Sequence, residues 1–287
     1  MTTKKTPYLF LAPLFISLTV FLFFSLSYLL YLSVTNSYWL SEKIEFVGLK
    51  NYFNFITNPF FIQVSCNTLL FIIISNIIQL LIGLGVALCL NENFFGQGIF
   101  RSLIIIPWCI PLPVSALIFT MMLHGVFGPV NQILTLIGII NKPLLWFAYD
   151  NTAFVALVLI WTWINTPWFI IFSLAALQAV PPEIYESAKI DGTSTFQRFT
   201  YITLPLIKSP LLIATMFSVI STFNKADLIF ILTRGGPDHS TEILTLTAYM
   251  KAFSQLLFGE ASAVTVFCLL IAGIFTLFFI KITKVTE

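Results

Sequence analysis

Charge is scarce in this chain. Of 287 residues, 14 are Lys or Arg and 12 are Asp or Glu, 9% in all, where a soluble domain carries about 25%. So few charges cannot supply a polar skin for a water-soluble globule, which argues against a soluble enzyme, a disordered chain and a nucleic-acid binder. Histidine is scarcer still: His124 and His239 lie far apart, and no H-E-x-x-H run exists to hold zinc. No glycine is followed by lysine, so a Walker A phosphate loop is absent. The four cysteines, Cys66, Cys89, Cys109 and Cys268, match no metal or redox spacing and read as buried apolar side chains. No metal site and no catalytic residue is therefore expected. If the chain moves a solute uphill, an ion gradient or a partner must supply the energy.

What is present is hydrophobic length. Six intervals lack any Asp, Glu, Lys or Arg: Thr6–Ser41, Asn51–Asn91, Ser102–Asn141, Asn151–Pro182, Ser209–Asn224 and Ala261–Ile280. A bilayer core about 30 Å thick needs about 20 apolar residues of helix. The intervals predict spans over Tyr8–Val34, Asn67–Leu90, Phe100–Leu123, Ala153–Gln178, Ser209–Leu232 and Ala261–Ile282. The fifth is read as one span that carries Lys225 and Asp227 in its outer third. Runs such as Leu69–Ile74 are apolar at every residue, as lipid around a whole helix demands, and lack the alternation of barrel strands. The expected fold class is an all-α polytopic membrane protein with six transmembrane helices.

Six spans place both termini on one side. With the ends in the cytoplasm, inner segments hold Lys4, Lys5, Arg101, Lys189, Arg198, Lys208, Lys281 and Lys284, and outer ones hold Lys43, Lys50, Lys142, Arg234 and Lys251. That eight-to-five balance favours cytoplasmic N- and C-termini. The first apolar stretch far exceeds the roughly 7–15 residues of a signal-peptide core, so it reads as an uncleaved helix.

Most of the inner surface is thin. The exception is Ala179–Lys208, which reads AVPPEIYESAKIDGTSTFQRFTYITLPLIK. Pro181-Pro182 permits a helix start. Glu183 and Glu186 then sit near the positive end of that helix, with Lys189 three residues on. Gly192 suits the left-handed residue that ends a helix. One of Thr193, Ser194 or Thr195 can cap a second helix, which Pro205 is expected to close. On physical grounds alone this is either an amphipathic loop on the headgroups or a docking element.

Glu186-Ser187-Ala188, three residues, Gly192, nine residues, then Ile202-Thr203-Leu204-Pro205 resembles the E-A-A-x3-G-x9-I-x-L-P loop of bacterial ABC importer permeases. The wider run PPEIYESAKIDGTSTFQRFTYITLPL is similar to the carbohydrate-uptake branch, with Ser187 where the first Ala is usual. NENFFGQGIFRSLIIIPWCIP, with Gly96, Phe100, Arg101, Pro107 and Pro111, resembles that family's junction of second and third spans. FVGLKNYFNF and ILTRGGPDHSTEIL fit it too, and the latter is typical of the first of two paired permeases.

The resemblance implies a multi-pass inner-membrane subunit of a binding-protein-dependent, ATP-driven importer for a sugar or sugar-like solute. Residues 1–62 would form the N-tail, first helix and extracytoplasmic segment, 63–282 the permease core and 283–287 a cytoplasmic tail. The implied partners are a second permease in a heterodimer, two copies of a cytoplasmic ATPase and an extracytoplasmic solute-binding protein. ATP would bind the ATPase, and this chain would carry no cofactor. The coupling residues would be Glu183, Glu186, Ser187, Ala188, Asp191, Gly192, Ile202, Leu204 and Pro205, with Gly192 making the corner and Ala188 permitting close approach.

Polar residues within spans usually face the bundle interior or a water path. Asn224, Lys225, Asp227, Asn165 and Trp161 are accordingly candidates for a solute path, with Asn76, Gln79 and Trp168 as further residues of the same kind. Thr233, Gly235, Gly236 and Pro237 form either an outer gate, a binding-protein contact or an ordinary turn. The alternative function is an ion-coupled secondary transporter. It would need inverted repeats that are not visible, and would leave the organised loop without a task.

Overall fold

The computed structural model describes residues 6–39 and 44–285. Thirteen α-helices form among them: α1 (Thr6–Ser33), α2 (Lys50–Ile56), α3 (Phe61–Asn91), α4 (Gln97–Cys109), α5 (Leu112–Met122), α6 (Pro129–Leu136), α7 (Asp150–Gln178), α8 (Pro182–Ile190), α9 (Thr195–Arg198), α10 (Leu204–Phe223), α11 (Ala226–Leu232), α12 (Leu244–Tyr249) and α13 (Phe258–Val285). No strand occurs among the described residues; one antiparallel bridge pairs Thr35 with Phe46. Five helices are long and apolar enough to span a bilayer, and the bent pair α4–α5 makes a sixth span if counted as one. The chain is an all-α polytopic membrane protein.

Two compact units are present. One comprises the described residues of Met1–Phe61 with Thr247–Leu270, and the other Ile62–Leu246 with the described residues of Ile271–Glu287. In the first, the buried Asn51 side chain serves the C-terminal end of α1, where carbonyls lack helical partners. Its Nδ2 donates to the Ser33 and Thr35 carbonyls at 2.9 and 2.8 Å. Phe55 meets Phe61 and Phe267 edge-on at 5.1 and 5.7 Å. Lys251 Nζ pairs with Glu260 Oε2 at 2.6 Å.

In the second unit α7 is the central helix, with Leu157, Ile160, Phe169 and Leu177 almost fully buried. Helices α4 and α10 pack against it, and α11 packs against α5. Helix α3 approaches α7 closely because Gly83 has no side chain: a Cβ there would lie 2.5 Å from Phe169 Cβ.

Two of the expected spans are broken. The third bends by 94° between α4 and α5. Pro111 disfavours helical backbone at the residue before it, and Ile110 is extended at φ −76°, ψ 129°. The fifth stops at Phe223, not Leu232. There the Asn224 amide donates to the Ile220 carbonyl at 2.9 Å, competing with the helix ladder. Lys225 therefore sits in a break, and Asp227 in the first turn of α11.

Pro205 does not close the second short helix. Helical backbone continues from Thr195 to Phe223, 29 residues. A π-helical turn over Phe199–Thr203 widens the helix just before the proline, where a regular turn would meet the missing N–H and ring clash. The cysteine expectation also needs correction: Cys268 is buried, but Cys66, Cys89 and Cys109 are exposed on the isolated chain.

Gly83→Leu should force α3 and α7 apart and lower the melting temperature of the purified protein, with an overpacking cost of about 1–3 kcal/mol. Gly85→Leu, two residues on in open space, should leave it unchanged in the same thermal-unfolding measurement.

Candidate functional site

Three helices bring polar side chains into one buried seam. Asn76 and Gln79 lie three apart on α3, Trp161 and Asn165 four apart on α7, and Ser218 and Thr222 four apart on α10, so each pair shares a helix face. Asn165 Nδ2 donates to Gln79 Oε1 at 2.9 Å and to Ser218 Oγ at 3.0 Å. Ser218 Oγ donates to Gln79 Oε1 at 3.3 Å. Trp161 Nε1 donates to Thr222 Oγ1 at 2.9 Å, and Asn76 Nδ2 reaches the same oxygen at 3.3 Å. Asn76 Oδ1 is buried with no partner among the described residues. Lys225 Nζ stands 4.9 Å from the centre of the Trp161 ring, a cation–π distance.

Trp161, Asn165 and Lys225 thus come together from the expected set, with Asn76 and Gln79. Asn224 and Asp227 do not join them: both are exposed, Asn224 bonds its own helix and Asp227 Oδ1 accepts from Leu228 N at 2.9 Å. Trp168 is occupied elsewhere, donating to the Ala214 carbonyl at 3.2 Å and packing on Phe172. Ser218 and Thr222 were missed. Their signal in the sequence is a pair of hydroxyls one turn apart in an apolar helix. Among the described residues, no group of three or more His, Cys, Asp or Glu could hold a metal.

At the C-terminal end of α7 lies the corner formed by α8 and α9. Gly192 adopts φ 73° with open space around it. Ser194 is the cap: its Oγ accepts from Gln197 N at 3.3 Å while Gln197 Oε1 accepts from Ser194 N at 2.8 Å, a reciprocal capping box. Arg198 Nη1 donates to the Thr193 carbonyl at 3.0 Å and Thr193 Oγ1 to the Ala188 carbonyl at 2.6 Å. Glu183, Glu186, Ser187, Asp191, Gly192, Leu204 and Pro205 are exposed, Ile202 is half-buried and Ala188 is buried. Beside the corner, Ile190 is 87% and Phe196 75% exposed.

Near the opposite end of α7, the segment after α11 folds into a pinned turn. Thr233 and Thr241 share a hydroxyl hydrogen bond of 2.6 Å, Thr241 Oγ1 donates to the Gly236 carbonyl at 2.8 Å, and Gly235 takes φ 90° before a cis Gly236–Pro237 bond. The first turns of α3 hold it: Gln63 Nε2 donates to the Asp238 carbonyl and Asn67 Nδ2 to the His239 carbonyl, both at 2.9 Å.

A helical membrane bundle with a buried polar seam and an organised polar corner has the construction of a transport permease. The comparisons with known proteins agree. The family model described as "Binding-protein-dependent transport system inner membrane component" matches residues 79–284. The "Trehalose/maltose transport system permease protein MalF" of Thermococcus litoralis is 32% identical over 98% of this chain and 94% of its own length. The "Sulfoquinovosyl glycerol transport system permease protein SmoG" of Agrobacterium fabrum is 34% identical over 91% and 85%. In fold, a chain of a bacterial alginate ABC transporter, solved with an alginate pentasaccharide-bound periplasmic protein, superposes with TM-score 0.84 at 20% identity over 98% of this chain and 94% of that one. A chain of the MetNI methionine ABC transporter gives 0.58 at 16% identity over 79% and 95%.

This chain belongs to the binding-protein-dependent transport system inner membrane component family. It is a non-catalytic permease subunit of a binding-protein-dependent ABC importer in the inner membrane.

Ser194→Ala removes the capping box and should cost about 0.5–2 kcal/mol locally. Amide hydrogen exchange over residues 193–199 should quicken, while exchange in the middle of α7 stays as in the unmutated protein.

Proposed function

We propose that this chain is the first of two paired permeases in an importer of a sugar or sugar-like solute. Its two most informative relatives are named for glycosidic solutes, and the seam suits one. An indole face stacks on a sugar ring, while amides and hydroxyls bond its hydroxyl groups. Buried polar groups are costly unless paired, and Asn76 Oδ1, left without a partner, offers an acceptor to a solute hydroxyl. The solute path therefore runs by Trp161, Asn165 and Lys225, with Asn224 and Asp227 at its exposed margin.

The permease core is residues 63–282, with both termini in the cytoplasm. On this reading the loop 181–205 faces a cytoplasmic ATPase, of which two copies serve a heterodimer of permeases, and ATP binds there and not to this chain. The supporting observation is the exposure of Ile190 and Phe196 on either side of Gly192: apolar side chains on a rigid polar corner are suited to a protein groove. Glu183, Glu186, Ser187 and Asp191 form its polar rim. Ala188 supports the corner from beneath, while Ile202, Leu204 and Pro205 join it to α10. Because helix continues from Thr195 to Phe223, displacement of the corner moves a single rod that carries Ser218 and Thr222 and ends beside Lys225. Thr233, Gly235, Gly236 and Pro237 lie at the outer end, as a gate or a binding-protein contact.

Gly192→Val forces a β-branched residue into left-handed backbone. In proteoliposomes containing the whole complex it should lower sugar uptake at least tenfold while ATP hydrolysis persists. Fully coupled transport by this variant would contradict the assignment of the corner. Trp161→Ala should raise the transport KM with little change in ATPase rate; an unchanged KM would remove Trp161 from the path.

A further inference from the structure

A polar cavity lies on α3 and α7, away from the seam. It encloses about 440 Å³, within the roughly 300–1,000 Å³ of small-molecule sites. Gln63 and Asn67 from α3, Asp150, Asn151 and Phe154 from α7, and Ser240 from the pinned turn line it. The composition is mixed: amides, a carboxylate and a hydroxyl stand beside an apolar patch of Phe154, Leu70 and Val155. Asp150 and Asn151 are exposed, so the cavity is open to solution. Ser240 is only 8% exposed, and its Oγ is buried without a partner among the described residues. A buried hydroxyl left unpaired costs stability, and here it lines an open cavity.

The cavity is aligned with the seam. Asp150 and Phe154 are four residues apart, Phe154 and Trp161 seven, and Trp161 and Asn165 four. Those spacings put all four on one stripe of α7. Phe154 precedes Trp161 by two helical turns, roughly 10 Å of rise. Helix α7 runs on past Asn165 and ends at Gln178, next to the corner formed by α8 and α9, so the cavity beside its first turn is at the opposite end of α7 from that corner.

We infer that this cavity is an entry subsite for a sugar ring, filled before the solute reaches the seam. The inference rests on the proposed solute class and deepens it. The Phe154 ring supplies the apolar face, the Asp150 carboxylate accepts from hydroxyls, and Ser240 Oγ gains the partner it lacks. Gln63 and Asn67 each commit an amide nitrogen to the turn, so the turn and the subsite share their supports. Leu70 and Val155 beside Phe154 suit the apolar faces of a sugar ring, while a wholly apolar cargo would leave the amides and the carboxylate without partners.

The test uses the complete complex in proteoliposomes, with uptake of radiolabelled maltose, trehalose and sulfoquinovosyl glycerol measured against concentration. Asp150→Asn is nearly isosteric at an exposed site, and Phe154→Ala removes the ring. For whichever sugar the unmutated complex takes up, each variant should raise KM three- to tenfold. The maximal rate and the stimulation of ATPase by the binding protein should be unchanged. Unaltered KM in both variants overturns the entry subsite while leaving the sugar reading intact. Loss of binding-protein stimulation with unaltered KM also overturns it, and makes the cavity a protein contact instead. An unmutated complex that takes up none of the three sugars contradicts the solute class, and the subsite falls with it.

Discussion

Gln79 has no exposed surface and lies in the middle of a helix meant for lipid. Its amide must be satisfied by the protein, because a bilayer core offers no water to do so. That requirement fixes the bundle. Asn165 on α7 and Ser218 on α10 reach Gln79 together, so the three helices can slide or rotate only by stranding buried polar atoms. Individual cross-helix hydrogen bonds in membranes are modest, about 0.6 kcal/mol on average. Their weight here is in specificity. Gly83, one turn along α3, lets α3 and α7 approach within the reach of these short side chains.

The same constraint positions the chemistry. Once α10 is in register, Thr222 receives the Trp161 indole, and the chain turns at Asn224 so that Lys225 comes over the ring. The seam and the corner are then joined by one continuous helix. Helix runs from the cap at Ser194 to Phe223, with a π-turn where Pro205 would otherwise break it. A capped start and an uninterrupted body suit a part that transmits displacement.

Much of this was legible in the residues. Gaps between charges located the spans, since the bilayer sets their length. The two short helices and the left-handed Gly192 followed from proline, glycine and capping chemistry, which act locally. What could not be read depends on competition or on distant partners. The bend at Ile110 and the stop at Phe223 arise where one proline or one asparagine outweighs a long apolar run. The continuity through Pro205 depends on a π-turn with no marker of its own. Ser218 and Thr222 resemble the small residues found in any membrane helix, and only Gln79, Asn165 and Trp161 from other helices give them a role. Lys225 and Asp227, two residues apart, looked alike in the sequence, yet one meets the seam and the other sits exposed in the first turn of a separate helix.

The most direct test of the account places a photo-crosslinker on the corner in living cells. Ile190→p-benzoylphenylalanine puts the probe on the exposed apolar side chain beside Gly192. Irradiation should join this chain to a cytoplasmic ATPase subunit, with a yield that changes when ATP is trapped on the complex. Crosslinking to lipid alone, or to a protein on the opposite side of the membrane, would contradict the claim that this corner couples ATP hydrolysis to transport.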